Sequence, residues 1–285
     1  MVDAFPCATP IISTEMPYRL TRGFIRALCM VIPATTAVSA QDTTASRHQH
    51  AEIKAMLAPA ALDALLGVLH QRRADARQRT IVFYDTPDMA LTAAGITLRV
   101  RRRAQGEAEA TVKIHDMRQA EATASQLQHA GFSCEADVNG ERHASTCAFS
   151  TTSPIAAADS VLRDHSAAVS TLFSSSQHKF LSRSGMPRLA REVTWPMLSA
   201  FGPIAALEWT APAPYDRALT MAIELWQLAD GTQLLELSMR VRDAEADVQQ
   251  QRLQQWVTSA QLPLAPQQVG KTDAAMRALA GLRAR

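Results

Sequence analysis

The sequence predicts an α+β fold in which a sheet of amphipathic strands is covered by helices. Within residues 96–103, Ile96, Leu98 and Val100 have one parity and Arg99, Arg101 and Arg103 have the other, and successive side chains of a strand point to opposite faces of its sheet. Asn139-Gly140 and Asp230-Gly231 lie between apolar runs and predict hairpin turns. After Pro59, leucines recur at helical spacing and predict a helix with one buried face.

Strand and helix signals alternate along the first half of the chain. Strands are predicted where polar and apolar residues alternate, or where β-branched and aromatic residues concentrate. Helices are predicted where apolar residues recur at spacings of three and four. In order, the first half contains a strand at 50–57, a helix from Pro59, strands at 80–84, 96–103 and 108–114, a helix at 119–128 and a hairpin with strands at 132–138 and 141–149.

The second half begins and ends with helices and has strands between them. Its last predicted strand has Leu235 and Leu237 on one face and Glu236 and Ser238 on the other. The turn sequence Asp85-Thr86-Pro87-Asp88 lies earlier, after the second strand, and is expected to be structural. In order, the second half contains a helix at 154–173, strands at 191–195, 205–210, 221–228 and 232–241, and helices at 244–260 and 273–282.

Composition excludes several classes of protein. The chain has 285 residues, of which 47% are hydrophobic, so it can bury a sizeable core. Its formal net charge is only +2 and 5% of its residues are aromatic, which argues against binding nucleic acid. The sequence contains no phosphate-binding loop, dinucleotide fingerprint, HExxH zinc helix or GxSxG elbow. Any affinity for phosphate must therefore come from local clusters of basic residues.

The N-terminal segment has the features of an export signal. Arg19, Arg22 and Arg26 precede an apolar stretch at 27–37, and Val38-Ser39-Ala40 provides small residues for cleavage. The apolar stretch is shorter than the roughly 20 residues that a membrane span needs. We therefore predict a signal peptide at 1–40, with an uncleaved anchor as the alternative, a flexible linker at 41–49, and a periplasmic or secreted protein without a stable membrane span.

Two cysteines remain after removal of the predicted signal peptide. Cys134 and Cys147 flank the hairpin turn at Asn139-Gly140, which brings their strands together. In an oxidising compartment such a pair predicts one disulfide. Two free thiols are the alternative, whereas a metal site formed by these two residues is not expected.

The basic faces of the strands allow two interpretations. If Arg99 and Arg101 turn inward, together with Lys113 from the next strand, they line a site for a polyanion. On an ordinary sheet the same arginines would form a solvated face. Like charges on opposed strands are destabilising unless an anion lies between them, which favours the first interpretation.

Several segments, taken together, resemble the CYTH domain family of triphosphate tunnel metalloenzymes. The likeness covers about His50 to Leu279 and is strongest between Tyr84 and Lys113. It rests on the order of the segments, since none of them is specific alone. They are Glu52-Ile53-Lys54, Tyr84-Asp85-Thr86-Pro87-Asp88 with Leu91, Gly95-Ile96-Thr97-Leu98-Arg99-Val100-Arg101, Thr111-Val112-Lys113, Glu135, Glu224, Asp230-Gly231, Leu235-Glu236-Leu237-Ser238 and Gly270-Lys271.

The resemblance implies a domain at 50–285 built as an eight-stranded antiparallel β-barrel, a tunnel with helices packed outside. It implies metal-dependent hydrolysis of inorganic tripolyphosphate or an organic triphosphate, with Mg²⁺ or Mn²⁺ as cofactor and a small phosphate polyanion as partner. The implied catalytic residues are Lys54, Arg99, Arg101 and Lys113; the implied substrate-binding residues are these four with Arg103 and Lys271; the implied metal ligands are Glu52, Glu135, Glu224 and Glu236.

Two positions depart from the pattern of the family. His50 stands where the opening strand of the family has a glutamate, and Ser238 stands where its late strand has a second glutamate. Fewer carboxylates lower the affinity for Mg²⁺ and favour softer ions. A polyphosphate-binding module without catalysis is therefore the alternative function, and adenylyl cyclase activity ranks third. Glu236 is either a metal ligand or a partner of Arg240.

Overall fold

A computed structural model describes residues 50–103, 108–140, 142–153 and 168–283. The predicted signal peptide and linker at 1–49 lie outside the described residues, and so does most of the helix predicted at 154–173. Among the helices that are described, none is both long and apolar enough to cross a membrane.

Nine strands of the described chain form one closed barrel. Their order around the barrel is β1-β5-β6-β4-β3-β2-β7-β8-β9, and β9 pairs with β1 to close it. The strands are β1 (His50–Leu57), β2 (Arg77–Asp85), β3 (Ile96–Arg103), β4 (Ala108–His115), β5 (Phe132–Asn139), β6 (Arg142–Ser153), β7 (Ser199–Ala213), β8 (Asp216–Gln227) and β9 (Gln233–Arg242).

The predicted barrel of eight antiparallel strands is wrong in strand number and in direction. The wall contains nine described strands, and the sheet is mixed because β1 runs parallel to β5, with Ala51 opposite Ala136. A parallel pair of strands needs a long crossover connection, which here is residues 58–131. The sequence of each strand contains no local pattern that predicts which strand lies beside it. The strand predicted at 191–195 is also wrong, since Trp195–Met197 is a 3₁₀ turn and β7 begins at Ser199.

The helices cover the outer face of the barrel. Ile53 of β1 and Leu237 of β9 pack in one fully buried cluster with Leu65 and Leu253 from two helices. On the β3–β4 side, Val112 packs with Phe180. The described α-helices are α1 (Leu62–Val68), α2 (Ala90–Ala93), α3 (Ala124–Leu127), α4 (Ser175–Phe180), α5 (Ala246–Ser259) and α6 (Lys271–Arg283).

Helix α6 makes a different contact. Its Met276 is buried against Phe83 and Trp226. Phe83 is the cross-strand partner of Arg99, and directly opposed residues share a face, so this cluster forms on the inner side of the wall. The C-terminal helix therefore fills part of the lumen with apolar side chains and brings its first residue, Lys271, to the remaining cavity.

The predicted turn after β2 is organised by Asp85. Its buried carboxylate accepts hydrogen bonds from the backbone N–H groups of Thr86, Leu91 and Thr92, at 2.7, 2.9 and 2.9 Å. The N–H groups of Leu91 and Thr92 belong to the first turn of α2, where a helix cannot satisfy its N–H groups internally. Asp85 therefore fixes the connection into β3, the strand with the arginines, as a structural residue.

The β5–β6 hairpin contains the predicted disulfide. Gly140 lies at its turn with φ of +64°, a conformation that favours glycine. Cys134 and Cys147 are directly opposed in the ladder and are bonded, with their Cα atoms 4.0 Å apart. The bond fixes the register of β5, the strand that carries Glu135 into the barrel.

Replacing both cysteines by serine is expected to lower the free energy of unfolding by about 3 kcal/mol, because the bond closes a loop of 13 residues in the unfolded chain. Urea unfolding with and without reductant measures the effect. Reductant should destabilise the wild-type protein and leave the Cys134→Ser/Cys147→Ser variant unchanged. Equal unfolding midpoints for the oxidised wild type and the variant would contradict this expectation.

Candidate functional site

A polar cavity of about 340 Å³ lies within the barrel. Residues of β1, β3, β4, β5, β6, β8 and β9 line it, and the start of α6 contributes Lys271. The residues of the cavity that the sequence had singled out are Glu52, Lys54, Arg99, Arg101, Lys113, Glu135, Glu224, Glu236 and Lys271.

Three residues named in the sequence analysis are not part of this lining. The side chain of Arg103 lies outside the described residues. His50 is half-buried at the start of β1 and does not line the cavity. Ser238 is buried on the same strand as Glu236, opposite Lys54, but it also does not line the cavity.

Arg99 and Arg101 point inward because the intervening residues of β3 are held outside. Leu98 and Val100 are buried in the outer apolar cluster, so the alternate side chains face the lumen. The Nε atoms of both arginines are buried without a hydrogen-bond partner in the described chain. Burial, and then the neighbouring charge of Arg101, lowers the pKa of Arg99 to about 9. Two adjacent guanidinium groups therefore have unused donors at the cavity.

Asp137 joins two lysines across the lumen. Lys54 donates to its Oδ1 at 2.5 Å, and Lys113 and Thr146 donate to its Oδ2 at 2.9 and 2.8 Å. Lys54 also lies 2.8 Å from Glu52. Burial alone would raise the pKa of Asp137, but Lys113 and Lys54 outweigh burial and the pKa is lowered. Burial alone would lower the pKa of Lys54. The negative charges of Glu52 and Asp137 outweigh burial, so the pKa of Lys54 is raised.

A second ion cluster forms around Lys271. Its Nζ lies 2.7 Å from Glu224 Oε2 and 2.9 Å from Glu236 Oε1, and it sits 4.5 Å from the centre of the Trp226 ring. Trp226 Nε1 donates to Glu224 at 2.9 Å. Burial acts to raise the pKa of Glu224. The charges of Lys271 and then Arg101 act in the opposite direction and outweigh burial, so the pKa of Glu224 is lowered. The alternative partner considered for Glu236, Arg240, instead pairs with Glu135 at 3.3 Å.

The cavity is not as basic as the strand pattern suggested. Five basic and seven acidic side chains line it. The lysines are paired with carboxylates, whereas the two arginines have no described carboxylate partner at salt-bridge distance. An anion would thus meet free guanidinium groups beside an excess of carboxylates. Excess carboxylate is a poor environment for phosphate unless a cation accompanies it.

Several residues that line the cavity were not predicted from the sequence. Asp137 and Glu109 have the inward parity of their strands, two residues from Glu135 and four from Lys113 respectively, and that parity could have identified them. His115 lies two residues after Lys113 and has the same inward parity. Burial, and then the charge of Lys113, lowers the pKa of His115. Asp273 arrives from α6, and only the docking of that helix places it here.

The residues present fit a hard divalent cation with few protein ligands. A carboxylate oxygen of Glu224 and one of Glu236 point to the same position, and the ammonium group of Lys271 occupies that position. No group of three His, Cys, Asp or Glu side chains suited to a metal occurs in the described residues. Mg²⁺ is commonly held by one or two carboxylates together with substrate phosphates, so this donor pair is sufficient for a metal that arrives with phosphate.

Solved structures of other proteins are similar to this chain in fold. The chain is similar in fold to HpAC1 from Hippeastrum, an adenylyl cyclase candidate described as having a dominant triphosphatase activity, with a TM-score of 0.58 and 13% identity over 80% of this chain and 95% of that one. It is also similar to a candidate adenylate cyclase from Bacillus halodurans, with a TM-score of 0.54 and 13% identity over 79% of this chain and 98% of that one. No curated protein sequence matches the chain.

The family comparison covers the part of the barrel that carries most of the basic residues. The model of the CYTH domain matches residues 48–151, from the start of β1 into β6. This segment includes Lys54, Arg99, Arg101 and Lys113, whereas Lys271 lies beyond it. Residues 48–151 therefore match the CYTH domain family, and the resemblance predicted from the sequence is confirmed over this part of the chain.

Proposed function

We propose that this protein hydrolyses inorganic tripolyphosphate or an organic triphosphate in the barrel cavity with the help of a divalent metal ion. The observation that carries the proposal is the pair Arg99 and Arg101, two inward guanidinium groups whose Nε donors are buried and unpartnered. Buried donors without partners are costly, and a phosphate chain supplies several anionic oxygens to them at once. Guanidinium forks suit phosphate oxygens in geometry and in charge.

The lysines of the cavity support the same substrate. Lys54 and Lys113 converge on Asp137 and are held apart from bulk water by the barrel wall. Each ammonium group has three donors, so a lysine can keep its bond to Asp137 and still donate to a phosphate oxygen. Asp137 thus acts as a positioning residue that holds two cations toward the cavity.

The carboxylates support a metal ion as the partner of the phosphate. We assign Glu224 and Glu236 as the residues that would hold it, with Glu52 and Glu135 as further acidic residues of the same cavity. The metal would neutralise negative charge that develops on phosphate oxygens. It would also remove the repulsion between the phosphate chain and the carboxylates, which outnumber the basic residues.

The proposed reaction is an in-line displacement at the terminal phosphorus. A water oxygen forms a bond to that phosphorus, the bridging P–O bond breaks, and orthophosphate and pyrophosphate leave when the substrate is tripolyphosphate. The proton of the water passes to a carboxylate of the cavity. Arg99 and Arg101 face the equatorial and leaving oxygens, where negative charge develops, and electrostatic stabilisation of this kind is the main contribution in phosphoryl transfer.

The purified protein is expected to release phosphate from tripolyphosphate with Mg²⁺ or Mn²⁺ and to stop when the metal is chelated. Replacing Glu236 by glutamine removes one charge from the carboxylate pair and should lower kcat/KM by at least about tenfold. A colorimetric phosphate assay over substrates of different chain length and with nucleoside triphosphates measures both effects.

The matched control is Glu192→Gln, which changes an exposed glutamate outside the cavity. This variant should keep the wild-type rate. Absence of phosphate release from any of these substrates with Mg²⁺, Mn²⁺ or Zn²⁺ would overturn the hydrolase proposal.

A binding module without catalysis is the second candidate, and one observation favours it. The carboxylates Glu224 and Glu236 already have a cation partner in Lys271, and Ser238 removes a carboxylate from the same strand. Binding of tripolyphosphate that is equally strong with and without divalent metal, and is not followed by hydrolysis, would select this function.

We further propose that the protein works outside the cytoplasm, in the periplasm or after secretion. The order of basic, apolar and small residues before position 41 supports export. The disulfide between Cys134 and Cys147 also supports it, because such bonds persist in oxidising compartments. Cell fractionation with an antibody tests the location, and recovery in the cytoplasmic fraction alone would contradict it.

A further inference from the structure

We propose that Lys271 is an internal counter-ion which occupies the metal position until phosphate arrives, so that metal binding depends on prior phosphate binding. This inference rests on the assignment of Glu224 and Glu236 as metal ligands under the proposed function, and it adds an order of binding. The side chain concerned is the first residue of α6.

The geometry places one ammonium group between two carboxylates. Lys271 Nζ lies within 2.9 Å of both Glu224 and Glu236, and the lysine is 6% exposed. Two buried carboxylates near each other repel unless a cation lies between them. Lys271 provides that cation, and a divalent ion that uses the same oxygen atoms must displace it.

Displacement is unfavourable in the absence of phosphate. A lysine moved away from Glu224 and Glu236 would remain beside Arg101, whose charge acts on Glu224 as well. Its ammonium would then lose both of its described carboxylate partners, and a buried charge without a partner is costly. Two other carboxylates of the cavity already have cation partners, because Asp137 pairs with Lys54 and Lys113 and Glu135 pairs with Arg240.

Phosphate changes this balance. A phosphate chain bound by Arg99 and Arg101 lies in the same cavity as Lys271 and supplies anionic oxygens that the ammonium can reach by rotating its flexible side chain. Glu224 and Glu236 are then released for the metal. Lys271 thus leaves Glu224 and Glu236 and binds the phosphate. The two carboxylates bind the metal ion in its place.

The departure at Ser238 gives this exchange its importance. Ser238 lies opposite Lys54, two residues after Glu236, and supplies no carboxylate, and the described residues contain no group of three donors suited to a metal. With only two carboxylates at the site, occupation by Lys271 and occupation by a metal ion are close in free energy. The binding of phosphate then decides which of the two cations lies between the carboxylates. The chain therefore binds metal weakly alone and strongly in the presence of phosphate.

The test measures binding of Mn²⁺ to the purified protein without phosphate, by the electron paramagnetic resonance signal of free Mn²⁺. Replacing Lys271 by methionine is expected to raise the affinity for Mn²⁺ at least tenfold, because the carboxylates lose their internal cation. Lys271→Arg keeps the positive charge and should bind Mn²⁺ as weakly as the wild type. Lys179→Met, which changes an exposed lysine on α4, is the matched control and should leave the affinity unchanged.

A second measurement follows the lysine itself. Because its ammonium lies over Trp226, tripolyphosphate without metal should change the tryptophan fluorescence of the wild type. The change should disappear in Lys271→Met and in Trp226→Phe. Circular dichroism and the thermal midpoint establish that each variant is folded, and Lys271→Gln replaces Lys271→Met if the latter is not.

Equal Mn²⁺ affinity of the wild type and the neutral Lys271 variants would overturn the inference. So would strong binding of Mn²⁺ to the wild type without phosphate. Either result leaves the proposed hydrolase function intact, because that function is decided by phosphate release from the wild-type protein. Failure of phosphate release with the expected Mn²⁺ result would instead overturn the hydrolase and keep the role of Lys271.

Discussion

Replacing Arg101 by alanine is expected to lower the rate of phosphate release by about 10²- to 10³-fold, the effect of removing one preorganised donor from developing oxyanion charge. Arg101 is an inward arginine of β3 whose Nε has no partner in the described residues. Its removal deletes one of two inward guanidinium forks, and Lys54 and Lys113, which are held by Asp137, cannot supply the planar fork. Steady-state kinetics with tripolyphosphate measures kcat and KM separately.

Arg101→Lys separates charge from geometry. Lysine keeps the charge and loses the planar fork, so this variant should lie between the wild type and Arg101→Ala. The matched control is Arg191→Ala, which removes an exposed arginine that pairs with Asp88 away from the cavity. Wild-type kinetics in Arg101→Ala would remove the arginine pair from the catalytic site.

Replacing Asp137 by asparagine is expected to lower the free energy of unfolding by about 3 kcal/mol, because removing one partner of a buried ion pair leaves its counter-charges uncompensated. Here two lysines lose their common carboxylate. All three side chains are at most 20% exposed, so solvent screens the loss only in part. Urea unfolding measures the change, and activity should fall with it because both lysines lose their positions.

The contribution of Asp137 also has a defined pH dependence. Its pKa is lowered in the folded state, so the stability it provides is present above the unfolded pKa, about 4. That stability is lost as the pH falls below this value toward the folded pKa. The difference in unfolding free energy between the wild type and Asp137→Asn should therefore be constant from pH 5 to 7 and decrease below about pH 4.

Two further variants test this explanation. Asp63→Asn breaks an exposed pair with Arg73 and should leave the unfolding midpoint unchanged. Lys113→Met, added to Asp137→Asn, removes one of the stranded charges and should recover part of the lost stability. A midpoint for Asp137→Asn equal to that of the wild type would show that the lysines do not depend on this carboxylate.

Alternation along single strands was the reliable guide from sequence to structure. A strand has only two faces, so once the apolar residues of β3 are buried outside, Arg99 and Arg101 must face the lumen. The same argument placed Lys113 on the inward face of β4. It also applied to Asp137 and Glu109, which the sequence analysis overlooked. A separate signal, the turn sequence Asn139-Gly140, predicted the Cys134–Cys147 pairing.

Contacts between distant segments could not be predicted in this way. The parallel pairing of β1 with β5 joins segments separated by about 80 residues, and nothing in either strand identifies its neighbour. The pairing of Lys271 with Glu224 and Glu236 depends on where α6 docks. A lysine at a helix start reads as a surface residue until the helix is placed.

The sequence by itself determined which side chains share a face of each strand, because that follows from the two-residue period of the backbone. It thereby determined that Arg99 and Arg101 share one face, whereas the closure of the barrel decided that this face lines an interior. Only the tertiary structure decided how these charges are partnered, because pairing depends on distances between strands and on the packing of α6. Those distances leave the Nε donors of Arg99 and Arg101 without a partner in the described residues, hold two lysines on Asp137 and place Lys271 between the carboxylates assigned to the metal.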